Sequence, residues 1–347
     1  MAVVNEALKT LVAQATGLPS TTVRLAIRPP LEYQSNRLYD AWTGGRHLII
    51  KEFLKPDELE DAPAREFRAL ELLAPLDIAP QPVLFQPLPT ALNGPIVIYE
   101  YMEGEMWGRR RPTAGELAQL AEVWLKMNAV PTDNLWMSRG YEQPLHERGV
   151  RWLALFRAYA AWAKAEFPPA QQAADLCSGL SESWRAAVRE LTDCDPPLCF
   201  CRSDARFANV IRRPDGRLGL VDWEDSGLRD PARDLVDLTT HPNQEDLLSP
   251  GDWQAFLEPY IAVRSGSDPQ LFHRTHLYLA LFPVFWLGVL IRDGMRMAGT
   301  GRLAGWQVNG LPANERLRRY LARALAWPEM DSSSQMETLA EVVFFPR

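Results

Sequence analysis

Strand-like patterning fills the first hundred residues of this chain, and helical patterning fills almost everything after Gly104. Runs rich in β-branched and aromatic residues occur at 22–27, 37–42 (RLYDAW), 46–53 (RHLIIKEF), 82–87 (PVLFQP) and 94–102 (GPIVIYEYM). Thr43-Gly44-Gly45, between the second and third runs, supplies a hairpin turn. An amphipathic helix is expected at 3–15 and another from Ala62 to Leu73, introduced by Pro56 and Asp57 and closed before Pro75. Beyond Gly104, 3.6-residue periodicity marks helices at about 114–129, 147–165, 170–192, 251–264, 269–297 and 313–326. One β signal interrupts them: VIRR (210–213) and RLGLVDW (217–223) flank the turn Pro214-Asp215-Gly216. The expectation is an α+β chain of two lobes, which suits 347 residues. The small, mostly antiparallel β lobe spans 1–102 and the larger helical lobe 103–347.

Several functions are disfavoured at once. A net charge of −7 and a pI of about 5.4 argue against nucleic acid or an anionic membrane as the main partner. The longest apolar run, Leu277 to Ile291, is interrupted by Pro283 and falls short of the roughly 20 residues of a membrane span. MAVVNEALKTL carries Glu6 and no basic stretch ahead of an apolar core, so no secretory leader is expected. Cys177, Cys194, Cys199 and Cys201 lack the spacing of a zinc set and read as reduced thiols of a cytoplasmic protein. No G-x-x-x-x-G-K, G-x-S-x-G or H-E-x-x-H is present. The G-x-G-x-x-A match at Gly299, Gly301 and Ala304 follows a helix rather than a strand, and His273 and His276 read as ordinary helical residues.

The informative stretch is Cys199 to Leu238, CFCRSDARFANVIRRPDGRLGLVDWEDSGLRDPARDLVDL. Asp204 and Asn209 precede the hairpin, and Asp222 ends its second strand. Folding the hairpin back can bring two carboxylates and an amide carbonyl together, an oxygen-rich set that suits Mg²⁺. Taken on spacing alone, the three are equally readable as solvated loop residues. A second oddity is Lys51: the chain has 32 arginines and only five lysines, so a lysine on a buried strand calls for a reason.

This stretch resembles the catalytic segment of the aminoglycoside phosphotransferase and choline kinase families, whose pattern runs roughly H-G-D-x-x-x-x-N, hairpin, D-[WF]-[EG], D-P-x-x-D-L. The resemblance implies a protein-kinase-like fold and a Mg-dependent small-molecule kinase using ATP, with GTP left open. It implies that Asp204 is the catalytic Asp, Asn209 and Asp222 the metal ligands, and Asp234 a helix-borne brace for the catalytic loop. Trp223-Glu224 and Asp230-Pro231 also fit. Lys51 in HLIIKEF resembles the phosphate-contacting lysine, and Glu66 in REFRALELL its partner, with Glu71 on the same helix as the alternative. Ser35-Asn36 in YQSNRLYDA resembles the first turn over the phosphates. IVIYEYMEGE resembles the strand presenting backbone groups of Glu100 and Met102 to adenine. The order holds from about residue 20 to 240.

Three departures accompany it. Arg202-Ser203 stand where the family has His-Gly, and Asn128 in LKMNAV stands where a His commonly ends a helix. A buried guanidinium must be paired, so Arg202 is expected on Asp234 or on the carbonyls around Asp222. Ser203 suits the site provided its φ is negative. The same departure opens a second reading, a nucleotide-binding pseudokinase with a regulatory role. A protein-substrate kinase is disfavoured, because the stretch after Asp222 is too short for an activation segment. Six acids and two arginines between Asp222 and Leu238 give a local net charge of −4. This favours a neutral or cationic hydroxyl acceptor, with Glu224, Asp225, Trp223 and Trp286 as candidate contacts.

Overall fold

The structure, a computed structural model, describes residues 2–29, 36–54, 61–87, 92–108, 110–138 and 193–279, with scattered positions at 186–191 and 281–315. The helix expected at 147–165, most of those at 170–192 and 313–326, and most of the 280–297 part of that at 269–297 lie outside the described residues, as do Ser35 and Cys177.

The N-terminal part is a five-stranded antiparallel sheet of order β1-β2-β3-β5-β4. Its strands are β1 (Arg24–Ile27), β2 (Asn36–Thr43), β3 (Arg46–Phe53), β4 (Pro82–Gln86) and β5 (Ile96–Glu100). The β2–β3 turn is Gly44-Gly45, with φ of 54° and 78° at its two positions. Only glycine enters that region without strain, and a turn of this kind matches strand twist. Alternation then separates the two faces. Tyr39, Ala41, Leu48, Ile50, Ile96 and Ile98 pack against Leu8 and Val12 of helix α1 (Ala2–Thr16). Ile49, Lys51, Val97 and Tyr99 point the other way, toward helix α2 (Ala62–Leu73) and the helical part. Lys51 therefore enters the space between the two parts by strand parity alone.

The C-terminal part is helical: α3 (Ala114–Asn128), α4 (Pro231–Thr240), α5 (Pro250–Arg264) and helical residues 271–279. Local chemistry starts the first three of these. Thr113 with Glu116 and Ser249 with Asp252 form capping boxes on α3 and α5, and Asp230 caps α4 ahead of Pro231. One β signal was expected here, but further short strands accompany it. Besides β8 (Val210–Arg212) and β9 (Leu218–Leu220), there are β6 (Glu105–Met106), β7 (Cys199–Cys201) and β10 (Gly227–Arg229), and a small bridge pair at 307–312. Strands of two or three residues are too short to display an alternating pattern, which is why periodicity passes over them. β6 joins the β8–β9 hairpin, and β7 pairs with β10.

One apolar cluster runs from the inner sheet face through α2 into α3, α4 and α5, and it includes Trp107, Trp124, Trp223 and Trp253. A buried double fork lies beside it. Arg274 donates to both oxygens of Asp230, at 2.9 and 3.1 Å, and to both of Asp268, at 2.9 and 2.7 Å. Among the described residues, no helix is long and apolar enough to cross a membrane. Cys194, Cys199 and Cys201 are free thiols.

Candidate active site

Lys51 is 4% exposed, and its ammonium meets three carboxylates: Glu66 Oε2 and Asp222 Oδ1 at 2.6 Å and Glu224 Oε2 at 2.9 Å. Burial alone would lower the lysine, but Asp222, Glu224 and Glu66 together hold it well above its ordinary range. Burial, with Asp222 and Glu224 adding to it, pushes the Glu66 carboxyl up to about 7 against the opposing pull of Lys51. Of the two glutamates offered by α2, Glu66 makes the pair. Asn36, at the start of β2, donates to Glu224 Oε2 at 2.8 Å.

The remaining groups converge from the helical part. The Val221 N–H donates to the Asn209 carbonyl at 3.0 Å, closing the β8–β9 hairpin so that Asp222 lands beside Asn209. Asn209 Nδ2 lies 3.4 Å from Asp222 Oδ2. β9 ends at Leu220, and Asp222 sits in the following turn with φ of 69° rather than at a strand end. Asp204 lies across from it, and Arg206 bridges the two, with Nη2 2.6 Å from Asp204 Oδ2 and 3.2 Å from Asp222 Oδ2. His241 Nε2 approaches Asp204 Oδ1 at 3.4 Å. Although Asp204 is desolvated, Arg206 and His241 hold its carboxyl well below the usual carboxylate range.

The loop carrying Asp204 hangs from side chains of α4 and the segment after it. The N–H groups of Arg202 and Ser203 donate to Asp234, at 3.3 and 2.8 Å, and that of Ala205 to Asp237 at 3.2 Å. The N–H of Phe207 donates to Gln244 Oε1 at 2.9 Å, while Gln244 Nε2 reaches the Ala205 and Leu238 carbonyls at 2.6 and 2.7 Å. Asp234 thus braces the loop through backbone groups. Arg202 takes the second of its two expected partners. Its buried guanidinium donates to the carbonyls of Asp204 (2.9 Å), Asp222 (3.1 Å) and Val221, strapping the Asp204 loop to the Asp222 turn. Asn128 accepts from Tyr260 at 2.6 Å and donates to the Phe200 carbonyl at 2.9 Å, tying α3, α5 and β7 together.

Three expectations require correction. Ser203 has φ of 74°, the left-handed region, and its buried hydroxyl has no hydrogen-bond partner among the described residues. A non-glycine residue there costs on the order of 1 kcal/mol. Ser203→Gly is therefore expected to raise Tm by about 1–2 °C, and an unchanged or lowered Tm in thermal unfolding would show that the position carries no net strain. Trp223 is fully buried, its indole N–H on the Leu220 carbonyl and its ring under Arg202, so it offers no face to an acceptor. Glu224 is engaged by Lys51 and Asn36 on the Lys51 side, away from the acceptor role expected of it. Asp225 is half-buried beside it.

Trp286 is buried with its indole N–H 3.3 Å from Thr240 Oγ1, and it stands edge-on to His241, with centroids 4.6 Å apart. The Glu100 N–H is already donated to the Gln81 carbonyl at 2.9 Å. The Met102 side chain lies on β9, where a Cβ at Gly219 would come within 2.2 Å of its sulfur.

Sequence reading missed Arg206, His241, Asp237 and Gln244. Arg206 lies two positions after Asp204, the one local signal available. The other three come from 33 to 40 residues downstream, where only the docking of α4 reveals them. Glu66, Asp222 and Glu224 bring carboxylate oxygens within 4.8 Å of one another around a single ammonium. That surplus of negative charge and the all-oxygen donors, with the Asn209 amide beside them, fit a hard divalent cation.

The model of the phosphotransferase enzyme family matches residues 26–274. The chain belongs to that family. Among solved structures, its fold is similar to choline kinase LicA from Streptococcus pneumoniae, 20% identical over 90% of this chain and 96% of that one, at a TM-score of 0.60. Spectinomycin phosphotransferase APH(9)-Ia, solved with ADP and spectinomycin, is 16% identical over 98% and 97% at a TM-score of 0.59. Choline kinase from Cryptosporidium parvum is 13% identical over 97% of both chains at 0.60. This phosphotransferase family member therefore has the two-lobed, protein-kinase-like α+β fold of those structures. No curated protein matches the chain.

Proposed function

We propose that this protein transfers the γ-phosphoryl group of ATP, or of GTP, to a hydroxyl of a small molecule. The observation that carries the reading is the convergence of Lys51, paired to Glu66, with Asp222, Asn209 and Asp204 from the opposite part of the fold. Lys51 steadies the phosphates together with Ser35 and Asn36, and the backbone of Glu100 and Met102 receives the base. Asp222 and Asn209 would hold Mg²⁺, which would supply charge neutralisation for the transferring phosphates. Asp204 orients the acceptor hydroxyl and receives its proton. Positioning and charge neutralisation are most of what such a transfer requires.

The acceptor reading follows from charge. Asp204, held ionised where the acceptor hydroxyl must sit, favours a neutral or cationic molecule, such as an aminoglycoside-, choline- or sugar-like hydroxyl, with Trp286 near Asp204 through His241. Spectinomycin and choline, named for the similar structures, are of this class. We divide the chain at 102–103 into a nucleotide-binding lobe and a catalytic, acceptor-binding lobe. The free thiols of Cys199 and Cys201 support a cytoplasmic setting.

A second reading, a nucleotide-binding pseudokinase, is favoured by one observation: Arg206 spans Asp204 and Asp222, the two carboxylates the reaction needs. The test is to offer Mg-ATP and Mg-GTP with a panel of hydroxylated antibiotics, amino alcohols and sugars. Nucleoside diphosphate and phosphorylated acceptor should appear together. Tight nucleotide binding with no acceptor turned over would overturn the enzyme reading in favour of the pseudokinase, and robust phosphorylation of a carboxylate- or phosphate-bearing acceptor would count against the charge argument.

A further inference from the structure

His241 follows α4 directly and is 5% exposed. Its orientation is set from two sides. The edge-to-face contact with Trp286, interplanar angle 73°, fixes the ring plane. The backbone N–H of Asn243 donates to Nδ1 at 3.2 Å. An N–H can only donate, so Nδ1 presents its lone pair, and the proton of the neutral imidazole resides on Nε2. Nε2 is the atom facing Asp204 Oδ1 at 3.4 Å. The other oxygen, Oδ2, is held by Arg206 from within the catalytic loop. Each oxygen of this carboxylate therefore meets a donor from a different part of the chain.

We infer that His241 is a positioning residue for phosphoryl transfer: its Nε2–H fixes the rotation of the Asp204 carboxylate, so that a defined lone pair meets the acceptor hydroxyl. The inference rests on the phosphotransfer reading above. Arg206 alone holds one oxygen and leaves the plane of the carboxylate free to turn about the Cβ–Cγ bond. A second donor on the other oxygen removes that freedom. Its fixed tautomer matters as much as its position, because a lone pair aimed at Oδ1 would repel the carboxylate. The arrangement reverses the familiar Asp–His pairing, in which a carboxylate orients an imidazole. Here an imidazole, itself oriented by a backbone N–H and an indole, orients the carboxylate.

Two measurements test this, and only the second needs turnover. In ¹⁵N spectra of the full-length protein, His241 is expected as the Nε2–H tautomer, and Asp204→Asn should shift its Nε2 resonance. A proton on Nδ1, or an Nε2 resonance indifferent to Asp204→Asn, would overturn the inference. In kinetics, His241→Leu is expected to lower kcat by about 10- to 100-fold, the scale set by misplacing a reacting group. The Kd for Mg-nucleotide should stay within about twofold of its starting value. His241→Gln, whose side-chain amide can donate from a similar place, should recover most of kcat. A purely structural role predicts the opposite, with nucleotide affinity and kcat falling together and no recovery with Gln. Equal kcat in the Leu variant and the unmodified protein also overturns the inference. If the Leu variant does not fold, the spectra and the Gln variant still decide. Absence of turnover in the unmodified protein would overturn the phosphotransfer reading itself, a result distinct from any of these.

Discussion

Asp204→Asn is expected to cut acceptor-dependent turnover by about 10²- to 10⁴-fold, the usual cost of losing a general base, while Mg-nucleotide affinity changes by less than about threefold. The substitution keeps shape and removes charge. Arg206 and His241 hold the Asp204 carboxyl well below its ordinary range, so it stays ionised throughout the neutral region. Turnover of the unmodified protein should therefore show no loss assignable to Asp204 protonation above about pH 5. In the Asn variant one face of the amide accepts and the other donates, so it can satisfy Arg206 or the His241 Nε2–H but not both. Asp222→Asn should behave differently. Asp222 receives Lys51 on one oxygen and Arg206 and Asn209 on the other, and removing its charge weakens the proposed cation site along with turnover. Calorimetric titration of nucleotide with and without Mg²⁺, beside turnover for both variants, separates the roles. Equal loss of binding in the two would show the assignment to be wrong.

The second large effect lies away from the chemistry. Arg274→Met should destabilise the fold by about 3–5 kcal/mol, because it strands two carboxylates, each about 1% exposed, that now share one guanidinium. For a protein of this size that corresponds to a fall in Tm of about 4–7 °C. Asp230 is also the cap of α4, from which the Asp204 loop hangs, so turnover should fall at temperatures where the variant is still mostly folded. Adding Asp230→Asn and Asp268→Asn to Arg274→Met removes the stranded charges and should restore a good part of the loss. A single Arg274→Met variant melting with the unmodified protein would refute this account.

What the sequence made legible was whatever depends on neighbours along the chain. Strand alternation and the Gly44-Gly45 turn were readable locally, and so were Lys51 and the Asp204–Asn209–Asp222 hairpin. The errors cluster where alternation breaks. Asp222 adopts a positive φ, so strand parity no longer applies beyond it. Trp223 then turns into the core and Glu224 toward Lys51, where the local surplus of acids suggested acceptor contacts. Ser203 concealed its conformation because a serine carries no signal for positive φ. His241, Asp237 and Gln244 were invisible for another reason, since their partners are defined by how α4 docks and not by spacing.

The suspension of the Asp204 loop has a consequence for how its sequence can vary. Four of its attachments to α4 and the segment beyond are made by main-chain N–H groups, those of residues 202, 203, 205 and 207. Every amino acid except proline carries that group. The path of the loop is therefore encoded largely in Asp234, Asp237 and Gln244, and the side chains at 203 and 205 are released from specifying it, while that of Arg202 adds a strap of its own. A His-Gly pair and an Arg-Ser pair can occupy the same trace, with the arginine free to take up new carbonyl partners and the serine to bear a local conformational cost. Position and identity are written in separate places, so the loop can change its lettering while Asp204 keeps its aim.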